Sequence, residues 1–532
     1  MSAEHQTESA VLKQNRWLFW MCFISLITTA FFFAVRAQII GAIGFEFGLS
    51  ETEKGWLMGA GMWPFALGII GFSLVIDKIG YKTGLFFAFS CHVIATIMIL
   101  IGTNFWWLFC GNLIVAIGNG TVEAVINPAV ASLFSKAKTK WLNILHAGWA
   151  GGILLGSLIS LAMSKDGLIG RNFVDGLNWR WTFGMILIPA LVYGVMLLKS
   201  KFPISERIKA GISFKDMLKE MGIIGFAIVI LLFTREIMNI LANMSNLFSG
   251  WSDSAMLAVA LLITLVAMIP LGVYIRSFGR GLFVVLVLLM LPLATTELGT
   301  DTWIKELMNP IMRSNFSLSG GWVLVYSALV MMILRFNVGP IVKRIGPLGL
   351  MAASSLAAAI GLVFISNAQG VWIILAATIY AVGQTFFWPT MLGIVAERFP
   401  KGGAMTLNSI SGIGMLGVGI LGAPLLGLIQ DKNIDQQLEI RSPVVHEQVV
   451  TAEKQSIYGH YLAVDSEKVP ALDEPDQIMV EQVTNDSKRY AMTVVAIVPL
   501  IMALSFLVLI FWFKKQGGYK PVELTAGSAE PS

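Results

Sequence analysis

The sequence contains little charge for its length. Only 13% of its 532 residues are Asp, Glu, Lys or Arg, whereas 56% are hydrophobic. Soluble domains carry about 25% charged residues, so the composition argues against a soluble globular protein, and the hydrophobic content excludes intrinsic disorder. The hydrophobic residues cluster in runs of about 20, long enough for a helix to cross a bilayer core of roughly 30 Å, and they lack the alternation of β-barrel strands. The sequence therefore predicts an all-α polytopic membrane protein.

Cysteine and histidine are also scarce, with three and five residues. Cys22, Cys91 and Cys110 all fall inside hydrophobic runs, so we expect small buried thiols and neither a disulfide framework nor a metal site. The basic residues behind the net charge of +5 are not gathered into one patch, which argues against a nucleic-acid partner. Because the sequence contains no nucleotide-binding motif, we expect no cofactor.

Fourteen hydrophobic segments can be counted, and the first is expected to be a retained span and not a cleaved signal peptide. If the N-terminus is cytoplasmic, most of the 37 Lys and Arg residues fall in cytoplasmic segments, which is the positive-inside bias. We therefore expect a multi-pass protein of the cell (inner) membrane with both termini in the cytoplasm. The segments lie near 17–44, 55–76, 84–101, 106–134, 142–163, 181–198, 221–242, 255–275, 281–299, 322–341, 347–366, 371–396, 404–430 and 490–513.

Two parts of the chain look like internal repeats. Asp77-Lys78-Ile79-Gly80 ends the second segment, and Lys343-Arg344-Ile345-Gly346 ends the tenth at the corresponding place. Likewise, Asn127-Pro128 followed by Leu142-Asn143 matches Trp388-Pro389 followed by Leu407-Asn408. Internal repeats of this length are typical of transporters, in which two helical bundles rock about a site near the midplane.

The repeats divide the chain into parts. Segments seven and eight have no counterpart in the first repeat, so they are interpreted as an inserted transmembrane hairpin. The acidic segment 431–489 has little apolar periodicity and is expected to be a solvated external loop or a small cap. The expected parts are an N-terminal six-helix bundle (17–198), a cytoplasmic linker (199–220), the inserted hairpin (221–275) and a C-terminal six-helix bundle (281–513) that includes the external loop.

The chain resembles the major facilitator superfamily in two short motifs. Asp77-Lys78-Ile79-Gly80-Tyr81-Lys82 fits the loop that follows the second helix of that family, although Ser73 replaces the family's first glycine, and Asn178-Trp179-Arg180-Trp181 is a second similar segment. The resemblance implies two six-helix bundles, here with the inserted hairpin, giving 14 transmembrane helices. Asp77 is expected to lie at a neighbouring helix N-terminus while Lys78 and Lys82 pair with carboxylates, which would latch one conformation. The alternative is a basic loop that serves topology alone. The expected latch residues are Asp77, Lys78, Gly80, Lys82, Lys343 and Arg344.

A narrower resemblance concerns the fourth segment. Glu123-Ala-Val-Ile-Asn127-Pro128, after Gly118-Asn-Gly120, is similar to the fourth helix of the fucose/galactose–proton symporter family, and Phe387-Trp388-Pro389-Thr390 is similar to a later helix of that family. The chain departs from this family in its first segment, where Arg36 stands in place of a carboxylate. An Arg there is more similar to organic-anion and sugar-phosphate carriers of the same superfamily.

Placing a charged residue at the bilayer centre costs about 2.5–3.5 kcal/mol of insertion free energy. We therefore expect charged residues inside spans to face the bundle interior and to have a functional role. Glu123 is the candidate proton carrier; the alternative is a carboxylate permanently paired with Arg36. Arg36 either binds an anionic substrate group or serves only as the counter-ion of Glu123. Arg335 lies closer to the cytoplasmic end and is expected to snorkel. Arg235 and Glu236 of the hairpin are interpreted as structural or docking residues.

Polar and aromatic residues supply the candidate substrate site. His146, Trp149 and Asn143 can share one helix face, which offers the amide, imidazole and indole groups that a sugar-like ligand needs. Packing inside a helix interface is the alternative for His146, and ordinary interhelical hydrogen bonding is the alternative for the residues of the second repeat. The expected substrate-binding residues are Arg36, Gln38, Asn127, Asn143, His146, Trp149, Gln384, Trp388 and Asn408.

These features predict a secondary active transporter that couples protons to the symport of a small sugar or sugar acid by alternating access. The alternative on the same fold is an organic-anion or sugar-phosphate exchanger or efflux carrier. A membrane-embedded enzyme is disfavoured, because only His92, Glu123 and His146 are available inside the spans and their spacing fits no metal or acid–base motif. The expected partners are a small-molecule substrate, protons and the lipid bilayer, and the protein is expected to be a monomer.

Overall fold

The fold was analysed in a computed structural model that describes residues 3–49, 51–165, 167–172, 178–245, 247–248, 250–300, 308, 312–313, 320–456 and 458–524. Within these residues, 13 helices are long and apolar enough to cross a membrane, and Gly321–Phe336 is a shorter apolar helix. They correspond to the fourteen predicted segments, and the all-α membrane fold is confirmed.

In the first part of the chain, the second and the sixth span each consist of two helices. The second span is divided at Gly61–Met62, and the sixth is divided at Met185–Ile186. The α-helices are α1 (Ala3–Phe47), α2 (Glu51–Ala60), α3 (Trp63–Ile79), α4 (Tyr81–Ile101), α5 (Phe105–Leu133), α6 (Lys138–Met163), α7 (Trp179–Gly184), α8 (Leu187–Leu198) and α9 (Glu206–Lys209).

The rest of the chain contains two π-helical segments, Thr295–Gly299 and Val418–Gly422. The remaining elements are α10 (Phe214–Ser245), α11 (Asp253–Ile275), α12 (Gly281–Ala294), α13 (Gly321–Phe336), α14 (Val338–Asn367), α15 (Trp372–Gln384), α16 (Phe387–Arg398), α17 (Gly403–Gly417), α18 (Ala423–Arg441), α19 (Pro443–Val449), β1 (Val450–Ser456), β2 (Gly459–Val464), α20 (Glu474–Val495) and α21 (Ile497–Lys515).

The spans pack in two groups. Among residues 14–198, α1 lies on α6, and α3 and α4 lie on α5. Among residues 281–515, α14 packs on α15 and α21, and α12 packs on α17. The groups meet where α6 contacts α13 and α16 and where α3 contacts α17. The domain boundaries, including the linker 199–220, stay predictions.

The sequence repeats adopt the same backbone geometry. Gly80 has φ 83° and ψ 150°, and Gly346 has φ 70° and ψ 170°. Both values of φ are positive, a region that glycine enters without a steric penalty. Phe134, at the end of α5, has φ −121° and ψ 50°, and Phe399, at the end of α16, has φ −126° and ψ 49°. Equivalent positions of the two repeats therefore make the same turns.

The residues just before α10 enters its span and those just after α11 are hydrogen-bonded to each other. The backbone N–H of Ile223 donates to the carbonyl of Ser277 at 2.9 Å, and that of Arg280 donates to the carbonyl of Glu220 at 3.2 Å. Arg280 Nε also contacts Glu220 Oε1 at 3.1 Å. Within the hairpin, Arg235 pairs with Asp253 at 2.8 Å. Residues 220–223 and 277–280 are therefore hydrogen-bonded side by side, and the interpretation of these helices as an insertion stays a prediction.

Segment 431–489 is folded. It contains the outer part of α18, the helices α19 and α20, and an antiparallel hairpin of β1 and β2. A separate hydrophobic cluster holds these elements together. The buried members of this cluster are Ile434, Leu438, Val445, Val449, Val450, Val480 and Val483. The segment is therefore a small folded unit, and its external location stays a prediction.

The cysteine prediction is wrong at one position. Cys22 and Cys91 are buried, but Cys110 is exposed. Cys110 lies on α5 near Trp106 and Trp107, which are also exposed. A hydrophobic run predicts that a residue avoids water, and it does not distinguish the face toward lipid from the face toward other helices.

Candidate functional site

A central pocket lies where the two groups of spans meet. Its cavity volume is about 20 Å³ in this conformation. The lining side chains come from α5 and α6 on one side and from the π segment after α12, α13, α16 and α17 on the other. None of the lining residues identified in the described chain belongs to the inserted hairpin. The pocket is lined by Glu123, His146, Trp149, Glu297, Leu298, Arg335, Trp388 and Met415.

On one side of the central pocket, three buried side chains are connected by hydrogen bonds. Asn127 lies one helical turn after Glu123 on α5, and its Nδ2 donates to Glu123 Oε2 at 3.0 Å. The Oδ1 atom of Asn127 lies 3.1 Å from Nε2 of His146 on α6. The amide thus joins the carboxyl group to the imidazole. We call Glu123, Asn127 and His146 the N-side network.

On the other side, Arg335 forms an ion pair with the carboxylate of Glu297. Its Nη2 donates to Glu297 Oε1 at 2.9 Å, and its Nε donates to the carbonyl of Thr385 at 2.7 Å. The second oxygen of Glu297 accepts from the backbone N–H of Trp388 at 3.0 Å. The side chains of Arg335 and Glu297 are 1% and 4% exposed. We call Glu297, Arg335, Thr385 and Trp388 the C-side network.

The C-side network corrects the interpretation of Arg335. Snorkelling was expected from its position near the end of a hydrophobic segment, but Arg335 is among the largest fully buried side chains. The carboxylate of Glu297 explains the difference, since a buried charge is tolerated when it is paired and hydrogen-bonded. Glu297 is not among the site residues predicted from the sequence. The available signal was a lone carboxylate inside the hydrophobic run 281–299.

Local backbone geometry positions Glu297. It is the central residue of the π segment Thr295–Gly299, which continues α12. A π turn widens the helix and is often found at functional sites. The segment packs against the second π segment, Val418–Gly422, where a Cβ on Gly422 would lie 2.8 Å from Oγ1 of Thr295. Glycine at 422 therefore lets the two widened turns approach closely.

Two tryptophans complete the central pocket. Trp149 and Trp388 are 8% and 6% exposed. The indole N–H of Trp388 is buried and has no hydrogen-bond acceptor among the described residues. A buried donor without a partner costs free energy, so this N–H is available for a ligand that enters the pocket.

Three other predicted site residues make contacts between helices and do not line the central pocket. Asn143 Nδ2 donates to Thr390 Oγ1 at 3.1 Å. Asn408 Nδ2 donates to the carbonyl of Ala124 at 2.9 Å, and Gln384 Nε2 donates to Ser327 Oγ at 3.3 Å. The first two contacts join the two groups of spans. Gln384 and Asn408 make the interhelical hydrogen bonds that are the alternative for the second repeat, and a role of the three residues in substrate binding stays a prediction.

Arg36 is buried elsewhere in the N-terminal group. Its Nη1 donates to Asn112 Oδ1 at 3.4 Å, and its guanidinium lies 5.8 Å from the centre of the Phe33 ring. The guanidinium occupies the space beside Gly61, because a Cβ at that position would overlap Nη1. The contacts of Arg36 do not include Glu123. Gln38 is half-buried on the same helix and does not line the central pocket.

The expected latch is built differently from the prediction. Asp77 pairs with Arg207 of α9, at 3.0 Å from Nε and 2.5 Å from Nη2. Lys82 has no carboxylate partner among the described residues, and its Nζ donates to the carbonyl of Leu198 at 3.0 Å. Lys78, like Lys343 and Arg344 of the second repeat, is exposed. The sequence located the loop correctly but could not supply the partner, which lies in the linker.

Contacts at the same end of the helices join the two groups of spans. The N–H and Oγ1 of Thr139, at the start of α6, donate to Glu397 Oε1 of α16 at 3.1 and 2.6 Å. Lys138 Nζ contacts Glu206 Oε2 at 2.6 Å and the carbonyl of Ala396 at 3.2 Å. We call these contacts the linker-side gate.

The chain after α21 returns to the linker-side gate. The hydroxyl of Tyr519 donates to Glu397 Oε2 at 2.8 Å, and the N–H of Val522 donates to the carbonyl of Glu397 at 2.8 Å. Removal of the Tyr519 hydroxyl from water, together with the neighbouring charge of Glu397, raises the pKa of Tyr519 well above its usual value. The hydroxyl therefore stays protonated and donates.

The comparisons with known proteins agree with this architecture. A family model described as Major Facilitator Superfamily matches residues 18–304. A probable sugar efflux transporter of Helicobacter pylori is 25% identical over 173 residues, which is 32% of this chain and 42% of that relative. The chain therefore matches about two-fifths of the length of this curated relative.

Solved structures resemble the chain over most of its length. The proton:xylose symporter XylE has a TM-score of 0.60 with 13% identity, covering 93% of this chain and 96% of the other. A bacterial homologue of the human drug peptide transporters has a TM-score of 0.59 with 12% identity, covering 94% and 100%. At these identities the similarity shows the fold alone. Because the family model matches more than half of the chain, the chain belongs to the Major Facilitator Superfamily, whose members are transporters rather than enzymes.

Proposed function

We propose that the protein is a proton-coupled symporter of a small sugar or sugar acid that works by alternating access. The observation that carries the proposal is the central pocket, in which Glu123 of the N-side network faces the Arg335–Glu297 pair of the C-side network. We also propose that the protein lies in the cell (inner) membrane with both termini in the cytoplasm.

The charges in the central pocket favour Glu123 as the proton site. The pocket holds two carboxylates and one guanidinium, so one negative charge is in excess when both carboxylates are ionised. Glu297 is held by Arg335 and by the N–H of Trp388, whereas the side-chain donor to Glu123 is the neutral amide of Asn127. One proton on Glu123 removes the excess charge, which is expensive inside a membrane. Proton binding at Glu123 would therefore be coupled to movement of the site.

The lining of the central pocket suits a sugar-like solute. Trp149 and Trp388 offer aromatic faces, and the free N–H of Trp388 and the imidazole of His146 offer hydrogen bonds to hydroxyl groups. The name of the Helicobacter pylori relative, a probable sugar efflux transporter, supports a sugar-type substrate. That name describes export by the relative.

The linker-side gate supports alternating access. Thr139 with Glu397 and Lys138 with Ala396 join the two groups of spans at the end that the sequence predicts to be cytoplasmic. Closing these contacts blocks the pocket from that side. A transport cycle requires the same contacts to open while the internal contacts of each network persist.

A second candidate function is exchange or efflux of an organic anion or sugar phosphate. The observation that favours it is Arg36, a guanidinium that is 5% exposed and has no carboxylate partner among the described residues. A buried unpaired cation would be compensated by an anionic substrate group.

The test is uptake into proteoliposomes of a panel of neutral sugars and their acids, with and without an imposed pH gradient. Symport predicts that an acidic outside drives accumulation of one member of the panel and that collapsing the gradient abolishes it. Accumulation that requires an acidic inside would instead identify an exchanger or efflux carrier. A matched control is Glu236→Gln, which removes a carboxyl group in the inserted hairpin, away from the central pocket, and should leave uptake unchanged.

A further inference from the structure

The Arg335 guanidinium has no uncompensated charge to offer a ligand. Its Nη2 contacts Glu297 at 2.9 Å, and its other donors reach the backbone carbonyls of Thr385 and His146 at 2.7 and 2.8 Å. Both members of the ion pair line the central pocket. A substrate in the pocket therefore meets a pair whose net charge is zero.

The orientation of Glu297 is fixed from two directions. One oxygen faces Arg335, and the other accepts the N–H of Trp388, the second residue of α16. The pair is therefore a preorganised part of the pocket wall.

The remaining charge in the central pocket is also acidic. Glu123 is the second carboxyl group among the lining residues, and Arg335 is the one Arg or Lys among them in the described chain. An anionic solute would meet the carboxylate of Glu297, and that of Glu123 whenever Glu123 is not protonated, while the guanidinium is already occupied. A neutral hydroxylated solute meets no such repulsion.

We propose that Glu297 determines the specificity of the central pocket: by neutralising Arg335 it selects neutral hydroxylated solutes and rejects the corresponding acids. This inference rests on the proposed function, since it takes the central pocket as the substrate site. Arg36 does not alter the argument, because it does not line the pocket. Without Glu297, the Nη2 atom of Arg335 could donate a charge-assisted hydrogen bond to a substrate carboxylate.

The first experiment compares Glu297→Gln with Glu297→Asp, which keeps the charge. Each sugar is compared with its acid, D-glucose with D-glucuronate and D-galactose with D-galacturonate, as an inhibitor of transport of the same solute. The pH is equal on both sides of the membrane. We expect Glu297→Gln to shift the ratio of acid to sugar affinity toward the acid by about tenfold or more, since charge-assisted hydrogen bonds differ from neutral ones by that amount. Glu297→Asp should leave the ratio near the wild-type value. An unchanged ratio in Glu297→Gln would overturn the proposal.

The second experiment needs no known substrate. In Glu297→Ala the carboxylate is removed and leaves space beside Arg335, so acetate should bind there and raise the thermal midpoint of the purified variant relative to chloride at the same ionic strength. The wild type should show no such difference. Equal responses of the two proteins would overturn the assignment of Glu297. If wild type transports no sugar or acid, the proposed function fails, and the acetate measurement still decides whether Glu297 keeps anions from Arg335.

Discussion

The Nη1 atom of Arg335 donates a hydrogen bond to the backbone carbonyl of His146 at 2.8 Å. Arg335 belongs to the C-terminal spans and His146 to the N-terminal spans, so this bond crosses the central pocket. The acceptor is a backbone atom, and the bond does not depend on the imidazole. The N-side network lies within α5 and α6, and the C-side network lies within residues 295–388. The groups of spans can therefore separate without breaking either network.

The first prediction concerns Glu123. The variant Glu123→Gln keeps an acceptor for Asn127 but cannot exchange a proton. With one proton per substrate, a gradient of one pH unit supports about tenfold accumulation, because that gradient corresponds to about 1.4 kcal/mol. We expect the variant to lose this accumulation and to retain exchange of substrate across the membrane. Exchange by wild type should vary with pH, and exchange by the variant should not.

The measurement is radiolabelled uptake and counterflow in proteoliposomes, with Glu236→Gln as the control. If Glu123→Gln still concentrates substrate against its gradient, another group carries the proton.

The second prediction concerns the linker-side gate. Glu397 accepts two hydrogen bonds from Thr139 and one from Tyr519. Glu397→Gln removes the charge that strengthens all three, which should weaken the closed gate by about 1–3 kcal/mol and increase the open population by several-fold or more. The check is the labelling rate of Leu407→Cys, which lines a cavity beside the gate, by a membrane-impermeant maleimide from the linker side.

The control for the gate is Glu523→Gln, since Glu523 is exposed. Labelling at equal rates in the two backgrounds would show that Glu397 does not hold the gate closed. Tyr519→Phe removes one donor and should give an intermediate rate.

The spans, the repeats and the position of the loop at Asp77 could be predicted from the sequence, because hydrophobic length and glycine geometry are local properties. Gly80 and Gly346 illustrate this, since similar local sequences produce the same positive φ. The partners of charged residues could not be predicted. Arg335 with Glu297 and Asp77 with Arg207 are far apart in the chain, and only helix packing brings them together. The same limitation applies to Cys110, because hydrophobicity does not reveal which helix face meets lipid.

The third prediction concerns the Asp77–Arg207 pair. The two side chains are 12% and 6% exposed, so removing one leaves a largely buried charge and costs up to about 3 kcal/mol. Asp77→Asn and Arg207→Gln should each lower the thermal midpoint and slow transport. The exchanged pair Asp77→Arg with Arg207→Asp should recover part of both losses. Lys82→Gln is the control, because Lys82 contacts a backbone carbonyl. An effect of Lys82→Gln equal to that of Asp77→Asn would favour a role in topology alone.

The fourth prediction concerns the inserted hairpin. Gly222 and Gly279 have positive φ and lie so close that a Cβ on Gly222 would overlap the backbone of Gly279. Deleting 223–278 and joining these glycines removes two spans, so the orientation of the later spans is kept. We expect the shortened protein to fold as a monodisperse species in detergent and to transport with at least a substantial fraction of the wild-type rate. Loss of transport by a folded shortened protein would show that the hairpin takes part in the transport cycle.

The fifth prediction concerns Arg36 and separates the two candidate functions. The Nε atom of Arg36 is buried with no hydrogen-bond partner among the described residues, and Nη1 has one long bond to Asn112. A buried charge without a carboxylate is unfavourable, so Arg36→Met, which removes the charge and keeps an unbranched apolar side chain, should raise the thermal midpoint of the substrate-free protein. If Glu297 sets the preference for neutral solutes, Arg36→Gln leaves the ratio of acid to sugar inhibition unchanged. A shift of that ratio toward the neutral sugar in Arg36→Gln would instead assign Arg36 to an anionic substrate and favour the organic-anion carrier.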